Sequence, residues 1–138
     1  MNEHKSRFWV IAVVGSRDYP DMAAVRNYVR SLPQVLGDGR DILVLSGGAR
    51  GVDTIAVITA TEYGLPTSVI RAEWEIYGRS AGMHRNRLIA QDCDELVAFW
   101  DGGSIGTKNI LSVMKTYWPG KLVTIITPDG ITAVDNRP

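Results

Sequence analysis

The sequence predicts an α/β fold, a single doubly wound parallel sheet of about five strands with helices on both faces. Three observations carry that expectation. Five short apolar runs recur along the chain. Several are near-continuous Val, Ile and Leu rather than alternating, as strands read when both faces of a parallel sheet are covered. Segments of helical periodicity lie between them. Over 138 residues this alternation fills one domain, residues 1–138, with right-handed crossovers and short polar tails at 1–6 and 129–138.

Phe8 to Val14 is the first strand, and Met22, Val25, Val29 and Leu32 then mark one apolar helix face. Ile42 to Leu45 is the second strand, followed by a helix with Ile55, Ala56, Thr59, Ala60 and Tyr63 on its face. Thr67 to Ala72 is the third. A long loop, Glu73 to Gly82, leads to a weaker helix over Ala81 to Asp92 whose apolar content sits late, at Leu88 and Ile89. Glu95 to Trp100 is the fourth strand. Ile110, Val113, Met114 and Tyr117 give the next helix its face, and Lys121 to Thr127 is the fifth strand.

Composition narrows the function classes. Apolar residues make up 45% and charged residues 22%, ordinary globular usage that argues against disorder or a fibrous repeat. Lys plus Arg and Asp plus Glu number 15 each, so no global positive field gathers nucleic acid, and binding of that kind needs a local patch. Cys93 is the single cysteine and His4 and His84 are the two histidines. No internal disulfide can close and no zinc set is recognisable, so a reducing cytoplasm is the expected compartment and no metal is expected. No apolar run approaches the ~20 residues of a membrane span, and Met1 to Arg7 is polar rather than a signal core.

In open parallel sheets ligands bind outside the carboxyl ends of the strands, where strand order reverses, so the loops after the strands carry the chemistry. After the first comes Gly15-Ser16-Arg17-Asp18. Glycine allows close approach to the backbone, Ser16 offers a hydroxyl, and Arg17 offers a planar fork for phosphate or carboxylate. The same residues also read as a plain turn with a solvated arginine. After the second comes Ser46-Gly47-Gly48-Ala49-Arg50-Gly51-Val52-Asp53, which puts Gly47 and Gly48 before a helix start, where N–H groups and the helix dipole attract an anion. Asp53 reads either as an acceptor for a sugar hydroxyl or as a carboxylate that steadies the first helical turn. After the fourth comes Asp101-Gly102-Gly103-Ser104-Ile105-Gly106-Thr107, again opening a helix, so Asp101, Ser104, Gly106 and Thr107 join the candidate contacts.

Neither glycine loop has the G-x-G-x-x-G spacing of dinucleotide cofactors, and Gly106-Thr107-Lys108 is not a P-loop Gly-Lys-Thr; no cofactor is expected. The third loop holds Trp74 and Tyr77, which could stack on a base or simply cover the core. His84-Arg85-Asn86-Arg87 surrounds a helical turn, so at least one basic residue faces the cleft, and Arg85 and Asn86 are taken as ligand contacts.

In order and spacing, Val14-Gly15-Ser16-Arg17, Ser46 to Asp53, Arg85-Asn86-Arg87-Leu88-Ile89-Ala90 and Ser104-Ile105-Gly106-Thr107 resemble the SMF/DprA-LOG (SLOG) superfamily. This is a Rossmann-like group, and the likeness is greatest to its small single-domain members of unassigned function. The resemblance runs from about Arg7 to Thr127. It implies binding of a nucleotide or nucleotide-derived phosphate ligand at the loops after strands one, two and four, as a sensor or sequestering module. LOG-type phosphoribohydrolases carry Gly-Gly-x-Gly-Thr followed two residues later by a catalytic Glu. Here one extra residue separates Gly102-Gly103 from Gly106-Thr107, and Ile110 follows Lys108-Asn109. A LOG-like N-glycosidase would therefore draw its carboxylate from Glu73, Glu75 or Asp101. The likeness to DprA at Ser46 to Asp53 and Arg85 to Ala90 implies single-stranded nucleic acid as a further alternative, ranked behind the small ligand because the chain is neutral. Relatives in this group often pair through helices, which makes a homodimer a candidate assembly.

Overall fold

The computed structural model describes residues 7–135. Five strands, β1 (Phe8–Gly15), β2 (Asp41–Ser46), β3 (Thr67–Val69), β4 (Glu95–Phe99) and β5 (Leu122–Thr127), pair in parallel, and β6 (Gly130–Asp135) adds an antiparallel edge to β5. The order across the sheet is β3-β2-β1-β4-β5-β6, the doubly wound, Rossmann-like arrangement. Strand order reverses between β1 and β4.

Why the runs read as continuously apolar is visible in β1. Ile11 and Val13 pack on one face, while Ala12 and Val14 pack on the other. On the first face lie α1 (Met22–Ser31) with Val25 and Val29, and α2 (Val52–Glu62) with Val52, Ala56 and Ala60. On the second lie α4 (Ala81–Asp92) with Ile89 and Ala90, and α5 (Ile105–Tyr117) with Ile110, Val113 and Met114. With both faces covered, period-2 alternation has no polar side to show. The short helix α3 (Trp74–Tyr77) and a 3₁₀ turn, Gly78–Ser80, lead into α4.

Several expectations are corrected. The third strand stops at Val69 rather than Ala72, because Val69 pairs with Ser46, the last residue of β2, and the ladder ends with the Ile70 N–H donating to the Ser46 carbonyl at 2.9 Å. The loop Glu73 to Gly82 is largely helical. Residues 129–135 are not simply a tail, while 1–6 and 136–138 lie outside the described residues. Pro128-Asp129-Gly130 is a turn sequence, Gly130 adopts φ +122°, and Gly130–Asp135 returns along β5. Tyr63 and Tyr117, expected on inner helix faces, are about half exposed, as is Leu88 of the late apolar pair in α4.

Candidate functional site

Loops at the carboxyl ends of β1, β2 and β4, together with α3, α4 and α5, bound a cleft of about 760 Å³. Its position is the point of strand reversal, where two neighbouring loops diverge to opposite faces.

The loops after β1 and β4 are tied together. Gly15 is required by space, since a Cβ there would collide with the Phe99 carbonyl oxygen. The Ser16 N–H donates to that oxygen at 3.0 Å. The Ser16 Oγ, fully buried, accepts the Asp101 N–H at 3.1 Å. The Asp101 carboxylate then accepts the Gly103 and Ser104 N–H groups at 2.8 and 3.0 Å. The Gly103 N–H above all, with the Ser16 hydroxyl and the Ser104 N–H, holds Asp101 below the usual carboxylate range. Ser104 caps α5 by accepting the Thr107 N–H at 3.3 Å. Among the described residues this leaves the Ile105 and Gly106 N–H groups at the helix tip without a protein acceptor.

The loop after β2 closes upon itself. Ser46 Oγ accepts the Gly48 N–H at 3.1 Å, and Asp53 Oδ2 accepts the Ala49 N–H at 3.3 Å. The anion that this loop holds is thus the chain's own carboxylate. Burial pushes Asp53 up from 3.8 to about 6, against the lowering effects of the Ala49 N–H, Arg85 and the Gly47 and Gly15 N–H groups. Gly51, at φ +81°, lets the loop press on Arg17; any side chain there would overlap the Arg17 backbone.

α4 locks these loops in register. Arg85 Nη1 donates to the Gly47 carbonyl at 2.8 Å. The buried Asn86 donates through Nδ2 to the Gly106 carbonyl at 3.1 Å and to Asn109 Oδ1 at 2.9 Å. Burial lowers Arg85 from the usual arginine value, while Asp53 opposes that shift. Arg17, Arg79 and Arg85 line the cleft, as do Asp18, Asp53 and Asp101. Of the other basic residues in these segments, Arg50 follows the lining residue Ala49 but does not itself line the cleft, and Arg87 lies over the Tyr117 ring at 5.0 Å.

Most of the expected contact residues therefore meet in one cleft. The exceptions are Gly47 and Gly48, which do not line it: their loop curls inward around Asp53 and gives its amides to Ser46 and Asp53 instead. Glu73 and Glu75 are exposed and also outside the lining. Ile110 is buried beneath it at 1% exposure. Sequence reasoning missed Met83, Ile105 and Asn109 as cleft residues. Ile105 carried a signal, a large aliphatic residue directly after a serine cap. Among the described residues no group of three or more His, Cys, Asp or Glu could hold a metal ion, and no helix is long and apolar enough to cross a membrane.

Comparison with known proteins places this geometry in a family. The Gene 61 protein of Mycobacterium phage D29 is 29% identical over 107 residues, which cover 73% of this chain and 84% of that protein. Among solved structures, DNA processing protein A (DprA) from Streptococcus pneumoniae superposes with a TM-score of 0.69 at 21% identity, over 91% of this chain. The match spans about half of that protein, 52% of its chain. DNA processing protein A from Helicobacter pylori, in a structure concerned with its single-stranded DNA binding mode, also gives 0.69 at 19% identity, over 99% of this chain and 73% of that one. The model of the DNA recombination-mediator protein A family matches residues 3–92, well over half of the sequence, and the chain belongs to that family.

Proposed function

We propose that the cleft binds one nucleotide unit of single-stranded DNA, with the phosphate at the tip of α5. The observation that supports this most is the set of free Ile105 and Gly106 N–H groups at the positive end of a helix dipole, in a cleft that also holds Arg17, Arg79 and Arg85. Gly15, Ser16, Ser104 and Thr107 shape the phosphate seat, and Arg17 supplies a charge-assisted bond. Asn86 and Asp101 hold the seat's geometry, and Asp53 sets the loop behind it. Family membership and the single-stranded DNA binding of the Helicobacter pylori protein favour a strand as the source of the nucleotide.

The second reading is a free nucleotide or nucleotide-derived phosphate compound. The balance of three arginines by three aspartates around the cleft and a volume within the ~300–1,000 Å³ of small-ligand sites favour it. Binding is the activity in both readings, since neither asks Glu73, Glu75 or Asp101 to act on the ligand.

Thermal unfolding and fluorescence anisotropy with thymidine monophosphate and 5′-hydroxyl oligothymidylates of increasing length test the choice. A ligand at 100 times its Kd adds about 2.7 kcal/mol of stability. A 5′-hydroxyl oligomer, whose phosphates are all diesters, that binds at least as tightly as thymidine monophosphate is the expected result. Clear preference for the mononucleotide with its terminal phosphate would establish the free-nucleotide reading, and no stabilisation by any of them overturns both.

A further inference from the structure

The cleft is lined by apolar as well as polar groups. Trp74, Met83 and Ile105, which come from α3, α4 and α5, all line it and expose 55%, 56% and 83% of their surface. Single exposed apolar residues are ordinary, but three large ones converging on one cleft mark a binding surface. Tyr77, the other aromatic of this segment, is already engaged: it stacks on His84 with ring centroids 4.0 Å apart and an interplanar angle of 25°, and it does not line the cleft. Among the described residues Trp74 has no such ring or cation partner.

The indole and one of the cleft's guanidinium groups meet at Gly82. A Cβ there would lie 3.8 Å from Trp74 Cη2 and 3.7 Å from Arg85 Nη2, so a flat apolar ring and a guanidinium flank the same residue. A nucleotide offers the matching pair, a flat base and an anionic phosphate joined by a sugar. A base in a duplex has both faces stacked and cannot use such a surface, whereas an unpaired base can, and stacking accepts any base because each has a π-face.

We propose that Trp74, in a cleft that Met83 and Ile105 also line, is the stacking platform for one unpaired nucleobase, and that it makes the site selective for unpaired strands but indifferent to which base is bound. This rests on the reading of the cleft as a nucleotide site. The Helicobacter pylori likeness concerns the binding of a strand; which side chain meets a base in this chain follows from the rim geometry alone.

The test compares wild type with Trp74→Ala and Trp74→Phe by anisotropy, on a 5′-hydroxyl oligothymidylate and on the same oligomer carrying abasic sites, which keep the phosphates and lack the bases. Circular dichroism checks the fold, which the half-exposed indole should not control. Trp74→Ala is expected to weaken the normal oligomer roughly 5- to 150-fold, to leave the abasic oligomer unchanged, and to be largely rescued by Trp74→Phe. Equal losses on both oligomers, or no loss on either, overturn the platform while leaving the nucleotide site in place. Wild-type protein that binds no oligomer and no mononucleotide overturns the nucleotide site and the platform with it.

Discussion

Glycines that look alike in the sequence divide into two kinds once their surroundings are known. Gly15 has no room for a Cβ against the Phe99 carbonyl, whereas Gly106 has nothing within 4 Å of one. Gly15→Ala should therefore cost stability, on the order of 1–3 kcal/mol for overpacking, as read by urea unfolding. Gly106→Val should remain folded yet lose ligand, because its side chain would fill the space before the free N–H groups at the helix tip. Normal affinity in folded Gly106→Val would remove the phosphate from α5. The motif was legible, but which glycine packs and which faces the ligand was not, since spacing carries no record of what lies across the sheet. Asp53 shows the same limit. Its place in a first helical turn was legible, and its burial was not. Because its folded pKa lies near 6, above the usual 3.8, the folded state holds more protons between those values, and stability falls as pH rises through that window. The ionised carboxylate costs about 3 kcal/mol above it. Asp53→Asn should flatten this part of the stability profile; an identical pH slope in the variant would show that Asp53 is not the group responsible.

At the scale of elements, α4 is the piece that sequence periodicity described least well. Its buried residues are Ala81, Asn86, Ile89 and Ala90, two of them small and one polar, so no strong apolar stripe was there to be read. Asn86 compensates by tying α4 to the first turns of α5 through the Gly106 carbonyl and Asn109. Asn86→Ala leaves those groups without the Asn86 donor in a half-dry site and should cost ~1–3 kcal/mol. Arg87→Ala, which removes only a contact over the Tyr117 ring, should stay within about 0.5 kcal/mol of wild type. Chemical denaturation of both variants checks the contrast, and equal losses would mean that α4 is held by its surface rather than by Asn86. The β5–β6 hairpin is the opposite case. Its Pro128-Asp129-Gly130 turn stands in the sequence, flanked by Ile125 to Thr127 and Ile131 to Val134, but a stretch this short and this polar around its turn reads as a tail until its pairing with β5 is seen.

For the whole molecule, fold and site position follow from one another. Both-sided burial makes the runs continuous, continuous runs make a parallel sheet, and reversal of order between β1 and β4 opens the cleft where their loops part. Charge is the property that this chain of reasoning leaves free. Positive and negative side chains balance at 15 each, and the cleft repeats that balance with three arginines and three aspartates. Such a molecule has no long-range field to draw in a strand, so affinity must arise from short-range contacts. Each neutralised phosphate of a single strand contributes about −0.7 to the slope of log K against log salt. With only Arg17, Arg79 and Arg85 in the cleft, the slope should be no steeper than roughly −2. Titrating an oligothymidylate at several salt concentrations measures it. A slope of about −4 or steeper would show that basic residues beyond the cleft, such as Arg50, Arg87 and Lys108, engage the strand, and the one-nucleotide footprint would give way to an extended track.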